Sequence, residues 1–426
     1  MTSPGPMLQS GSPLSTAPEL SSQDLRQFQH LGRSFWTLYA SSCLIDLGLC
    51  LYFFMFSLFL VEHNFTIHSI GFITAALTVG TITGTIIVSF VSRFFGLRTM
   101  MLVFIFSAPL ALSLRLLFLQ VPAQIGLALL AGFMMSIWSV CFSPTLAKLT
   151  TQENRTFGFS LFVATGIASG ALAGLIGSYL PDLFRKHLWG GSQVDGIRIV
   201  LFLSCLIIML AALAILRLRL GTDERVGNTT RIFSRFLVRF LIAVAAWNFA
   251  ISFFVPFANV YLSRQLGLSM MRIGEIFTLS QLVQVAMVLA APVLYRRFGL
   301  VIGIALTQVG TALLFFSLSR AHRASTAVCI YLFLCGLQWM GGPGITSLLM
   351  NRTVEAYRSQ ASALHNIVNL AAQAAAAALA GNIFERYGYS GPLAIDAALA
   401  ALASMLMYTL VRGEGRQPKI EGRSQN

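Results

Sequence analysis

Apolar runs of about the length that crosses a bilayer recur twelve times along this chain, each closed by a short polar or basic break. Roughly 20 apolar residues span the hydrocarbon as a helix, the form in which each segment satisfies its own backbone hydrogen bonds. The pattern predicts spans near 35–61, 68–92, 99–119, 123–148, 157–180 and 197–216, then 240–262, 272–293, 300–319, 325–350, 359–384 and 391–411. The breaks repeat as well. Arg93-Phe94-Phe95-Gly96-Leu97 returns as Arg296-Arg297-Phe298-Gly299-Leu300, and the same shift of 203 positions carries Ile70-Gly71 onto Ile273-Gly274 and Arg155 onto Arg358. Anchors that share one offset predict two homologous six-helix halves. The expected divisions are a tail over 1–32, a first half over 33–216, a linker over 217–239, a second half over 240–411 and a tail over 412–426.

Composition turns this pattern into a fold class. The chain is 56% hydrophobic and 10% charged, with a mean hydropathy of +0.76. A soluble fold carries about a quarter of its residues charged, so this one is expected to be an all-α polytopic membrane protein. The net charge of +14 does not mark a nucleic-acid binder, because the basic residues sit in short clusters between spans. Twenty of the 29 Lys and Arg fall in the two tails and in the loops after spans 2, 4, 6, 8 and 10. The positive-inside rule then predicts both termini in the cytoplasm. Met1 to Gly32 is rich in Pro and Ser and lacks the build of a cleavable signal peptide, and a bacterial inner membrane is the expected location. The linker carries six arginines against Asp223 and Glu224, a topology signal suited to anionic lipid.

Several chemistries find no support in the sequence. The six cysteines all lie in predicted spans without C-x-x-C or Cys/His spacing, so neither disulfides nor a metal site is expected. No G-x-x-x-x-G-K-[ST] run is present, so ATP hydrolysis within this chain is not expected, nor is a cofactor. Nor is there an H-E-x-x-H or G-x-S-x-G constellation, which argues against an enzyme.

The 6+6 plan, the basic central loop and the repeated loop after the second span of each half resemble the major facilitator superfamily of transporters, over nearly the whole chain. In that family the loop reads Gly-x-Leu-x-Asp-Arg-x-Gly-Arg-Arg. Here Ser89 to Arg98 keeps Gly96 and the basic Arg98 but has Arg93 at the aspartate position, and the second copy has Arg296 there, followed by Arg297 and Gly299. The resemblance implies that these loops act in conformational change, with the glycines permitting a tight turn and the arginines facing lipid phosphate. Gln152-Glu153-Asn154-Arg155 and Glu355-Ala356-Tyr357-Arg358 resemble a further turn of the family. Gly166, Gly170, Gly174 and Gly177 form a small-residue face on span 5 that suits close helix packing. It is similar to, though less complete than, the glycine run of drug antiporters.

Candidate chemistry is sparse. Asp46 alone among the acidic residues lies deep in a span, and an intramembrane carboxylate marks an ion pathway by default. It is the expected proton-coupling residue. Glu275 and Asp396 sit near span starts, within reach of the outer interface, and Arg115 near a span end is expected to snorkel. Polar and aromatic residues at helical spacing predict the cavity walls: Trp138 on span 4; Trp247 and Asn248 on span 7; Gln281 and Gln284 on span 8; Gln338 and Trp339 on span 10; and Asn366, Asn369 and Gln373 on span 11. His365 reads first as a packing residue. Pro256 and Pro343 predict helix kinks. The leading expectation is a monomeric secondary transporter of the drug- or metabolite-efflux type, working by alternating access. Its partners would be protons, membrane lipids and a small amphipathic solute that it exports. Uptake of a sugar or similar polar metabolite is the alternative, and a non-transporting receptor on the same fold is the alternative of another class.

Overall fold

In a computed structural model, the structure describes residues 31–91, 94–150, 155–185, 192–218, 234–353 and 358–412. Twelve helices among them are long and apolar enough to cross a membrane. They are α1 (Arg33–Glu62), α2 (Ile67–Val91), α3 (Leu97–Leu117), α4 (Val121–Leu146), α5 (Leu161–Phe184) and α6 (Gln193–Ile215) in the first half. The second half has α7 (Arg235–Gln265), α8 (Met270–Phe298), α9 (Leu300–Ser319), α10 (Ala324–Arg352), α11 (Ala361–Tyr387) and α12 (Ser390–Val411). The linker from 219 to 233, and the tails before 31 and after 412, lie outside the described residues.

The two halves pack by one plan. In the first, α1 packs on α5 and α6, α2 on α4, and α3 on α4 and α6; in the second, α7 packs on α11 and α12, α8 on α10, and α9 on α10 and α12. The halves meet through two crossed pairs, α2 with α11 and α5 with α8. The repeat read from the sequence is therefore a repeat of packing.

Among the described residues, the hydrogen bonds across that seam gather toward one end of the molecule, where α1 leaves and α2 enters, opposite the end where α1 begins. There Glu385 of α11 accepts the backbone N–H of His68 at 2.7 Å, and Arg264 of α7 donates to the Phe65 carbonyl at 2.9 Å. Asn259 donates to Ser57 Oγ at 3.2 Å, and Tyr179 donates to Glu275 at 3.4 Å. On the α5–α8 side, Thr278 donates to the Ala171 carbonyl at 3.0 Å. Gly174 approaches so closely that a Cβ there would lie 2.9 Å from the Gly274 carbonyl. Part of the glycine face of span 5 is thus the contact with α8.

Local irregularities follow the residues that cause them. Pro256 has no N–H for the Ser252 carbonyl, and α7 tightens to a 3-10 turn over Val255–Phe257 and then widens to a π turn over Tyr261–Gln265. α10 breaks at Gly341, where Pro343 opens the second segment and Tyr295 of α8 donates to the Met340 carbonyl at 2.7 Å. Of the two loop glycines, Gly299 takes φ +80°, which favours glycine, whereas Gly96 takes φ −58° before α3, open to any residue. The expected turn requirement holds in the second copy only.

Candidate functional site

Between α2, α7, α10 and α11 lies a cavity of about 420 Å³. That size is typical of a site for a small organic molecule. α11 contributes His365, Asn369 and Gln373, one face at successive turns. α7 contributes Trp247, Asn248 and Ser252 ahead of its Pro256 kink, and α10 contributes Gln338 and Trp339 just before its break at Gly341. Thr74 and Thr78 of α2 close the fourth wall. Trp339 is 61% exposed, whereas Trp247 is 3% and Asn248 and Gln338 are each 8% exposed. Beside Ala377 of the lining, α2 and α11 come so close that a Cβ on Gly71 would meet the Ala377 carbonyl at 2.6 Å and the Phe257 ring at 3.3 Å. Among the described residues lining it there is no Asp, Glu, Lys or Arg. The lining is aromatic, amide and hydroxyl.

Three of these side chains form a chain of hydrogen bonds. Asn248 Nδ2 donates to the Val244 carbonyl at 3.0 Å and to Asn369 Oδ1 at 2.8 Å. Asn369 Nδ2 in turn lies 3.0 Å from His365 Nε2. Interhelical bonds of this kind in a membrane contribute roughly 0.6–2 kcal/mol each. The chain ties α7 to α11 while leaving both carboxamides on the cavity wall. The cavity thus offers a solute hydrogen-bonding groups and aromatic faces but no fixed charge.

The sequence pattern of the Major Facilitator Superfamily matches residues 38–353 and 240–425. The chain belongs to that superfamily. It is a membrane transporter, not an enzyme. No curated protein sequence matches it. Solved structures with the same fold include the nucleoside transporter NupG, at 13% identity over 89% of this chain and 99% of that one with a TM-score of 0.71. A D-xylose-proton symporter matches at 17% identity over 90% and 99%, with a TM-score of 0.70. A bacterial homolog of the human lysosomal transporter Spinster, inward-facing and occupied, matches at 10% over 92% and 98%, with a TM-score of 0.74. At such identities the likeness is one of fold.

Six of the ten cavity residues expected from the sequence of this superfamily member do line the cavity: Trp247, Asn248, Gln338, Trp339, Asn369 and Gln373. Four do not. Trp138 stacks between Phe104 and Phe142, at 5.5 and 5.4 Å, in the first half's packing. Gln281 presses on Gly170 at the α5–α8 seam. Gln284 is half-buried on α8 and Asn366 exposed on α11, both outside the lining. Thr74, Thr78, Ser252 and Thr346 also line the cavity, and so does His365, whose isolation in the sequence suits a packing residue. The i, i+4 spacing of Thr74 with Thr78, and of His365 with Asn369, is a sequence signal for three of these.

Asp46 is not among the residues that line this cavity. It is half-buried in α1 and accepts a hydrogen bond from Ser42 Oγ at 3.2 Å. Arg115 does not snorkel: it is 2% exposed, its guanidinium lies 4.0 Å over the Phe56 ring, and its Nε donates to Gln124 Oε1 at 3.3 Å. The other helices cover it before it can reach the interface. Asp396 is likewise fully buried, its two oxygens without a hydrogen-bond partner among the described residues, whereas Glu275 pairs with Arg272 at 3.0 Å. Of the loop residues, Arg98 donates to the Leu216 carbonyl. Arg296 and Arg297 are exposed in the last turn of α8, with Arg297 5.5 Å over Phe298. Arg93 and the side chains of Arg155 and Arg358 lie outside the described residues.

Proposed function

We propose that this transporter carries a small, neutral, polar solute such as a sugar or nucleoside, bound in the cavity between α2, α7, α10 and α11. The observation that carries this reading is the lining: carboxamides, hydroxyls and two tryptophans, with no fixed charge among its described residues. A solute that is itself ionised would leave its charge unpaired there, at a cost of several kcal/mol. A polyhydroxylated solute finds donors and acceptors on three walls, and its apolar face can lie on Trp339. Of the two solute classes considered from sequence, amphipathic exports and polar metabolites, the amide lining favours the second.

The mechanism is alternating access, with the halves rocking about the two crossed pairs at the seam. Among the described residues, the inter-half ties gather at the end opposite the start of α1. With both termini in the cytoplasm, as the positive-inside rule predicts, the tied end is the outer one. Binding to purified protein tests the solute class. Neutral sugars or nucleosides should change the tryptophan emission of wild type, and Trp339→Phe should reduce that change. Saturable binding of organic cations or carboxylates in place of neutral solutes would reject the reading.

A further inference from the structure

The hydrogen bonds that join α7 to α11 have a fixed direction, and a single backbone group sets it. The Val244 carbonyl can only accept, so the Asn248 group facing it must be the Nδ2 amide. The same Nδ2 faces Asn369, which must therefore present Oδ1. Asn369 then turns its own Nδ2 to His365 Nε2, and that nitrogen must accept. The chain consequently requires imidazole with Nε2 unprotonated. Both N–H groups of an imidazolium are donors, so a proton on Nε2 would set donor against donor. Restoring the match would need Asn369 and then Asn248 to reverse, and a reversed Asn248 would oppose its oxygen to the Val244 carbonyl. The intact chain and a protonated His365 exclude one another.

We propose that His365 is a proton-binding site of the solute cavity, and that proton uptake there releases the Asn369 and Asn248 carboxamides from each other for the solute. The reading rests on the solute cavity described above. The proton comes from the aqueous phase and adds to the Nε2 lone pair; the bonds broken are hydrogen bonds. Three facts support it. His365 lines the cavity and is the one titratable side chain among its described lining residues. Its Nδ1 is buried with no partner among the described residues. The two amides that its Nε2 controls belong to different helices of the wall. Among the described residues, the other charged or titratable groups nearest to it on the packed elements are engaged or directed elsewhere. Arg239 is exposed beside Phe240, whose ring is 5.8 Å from that of His365. Arg352 donates to the Val411 carbonyl and stacks on Phe236, His68 and Glu385 meet at the far end of the seam, and Asp396 is buried in α12.

The test is a pH titration of tryptophan emission, from about pH 5 to 8.5, on full-length protein in lipid nanodiscs without solute. Trp247, next to Asn248, is the reporter. Wild type should show a one-proton transition that is lost in Trp247→Phe and in His365→Gln, which keeps an acceptor for Asn369. Asn369→Leu cuts the relay and should also remove it, and Asp46→Asn should leave it. His365→Asn gives a second non-titrating form, and a monodisperse elution profile certifies each protein. A transition that persists in His365→Gln and His365→Asn, or in Asn369→Leu, overturns the proposal, as does its absence from wild type. Repeating the titration with D-xylose and with uridine separates the two claims. Affinity should rise on acidification, by up to about tenfold per pH unit for one linked proton. A transition present without binding of either solute at any pH would leave the proton site standing and sink the neutral-solute reading instead.

Discussion

Gly71 of α2 and Gly381 of α11 meet backbone to backbone. A Cβ on Gly381 would lie 2.8 Å from the Ile67 carbonyl oxygen and 3.1 Å from the Gly71 Cα. Neither atom belongs to a side chain that could swing aside, so the two helices approach this closely only because both residues are glycine. This contact lies one turn from Ala377 of the cavity lining.

Enlarging that contact should hold the seam apart. Gly381→Leu is expected to insert into the membrane at wild-type levels yet lose most of its transport, because the closed form can no longer form on that side. A cysteine introduced as Thr74→Cys should become more reactive to an impermeant thiol reagent applied from outside in the Gly381→Leu background. Unchanged labelling and unchanged flux would show that the contact does not seal the cavity.

The Glu385 carboxylate accepts the His68 N–H in the first turn of α2, so an acid from one half caps a helix start in the other. Charge near a helix N-terminus contributes about 0.3–1 kcal/mol. Glu385→Gln keeps the acceptor and removes the charge, and should shift the equilibrium toward the outward-open form about two- to fivefold. Distance measurements between spin labels on α2 and α11 would report the populations. An unaltered distribution would assign Glu385 no part in closure.

Arg115 should matter to stability and little to transport. Arg115→Ala removes the contact with Phe56 and strands Gln124 Oε1, at a cost of roughly 1–3 kcal/mol. A thermal melt in detergent should show a lower midpoint for Arg115→Ala, with less loss for Arg115→Met, which retains apolar packing. Normal stability with lost flux would instead place Arg115 in the transport cycle.

The architecture could be read from the sequence because lipid leaves few choices. Twelve apolar runs, a 203-residue repeat and clustered arginines fix the helix number and the two halves, and Pro256 and Gly299 mark a kink and a turn by their own stereochemistry. The site was legible in part. Periodicity gives the face a residue occupies and not the group opposite it. Asn369 and Gln281 look alike in sequence, yet one meets Asn248 on the cavity wall and the other meets Gly170 at the seam. Arg115 and Asp396 were misplaced for the same reason. A charge near a span end snorkels when lipid surrounds it, and only tertiary packing shows that helices cover these two.

The most direct test of the neutral-solute cavity is flux into proteoliposomes, comparing wild type with Asn369→Leu over a panel of neutral sugars and nucleosides, organic cations and carboxylates. The account predicts transport of one or more neutral solutes and none of the ions, with Asn369→Leu reducing that transport at least tenfold while the protein inserts normally. Transport confined to the ions, or neutral-solute flux indifferent to Asn369→Leu, would contradict it.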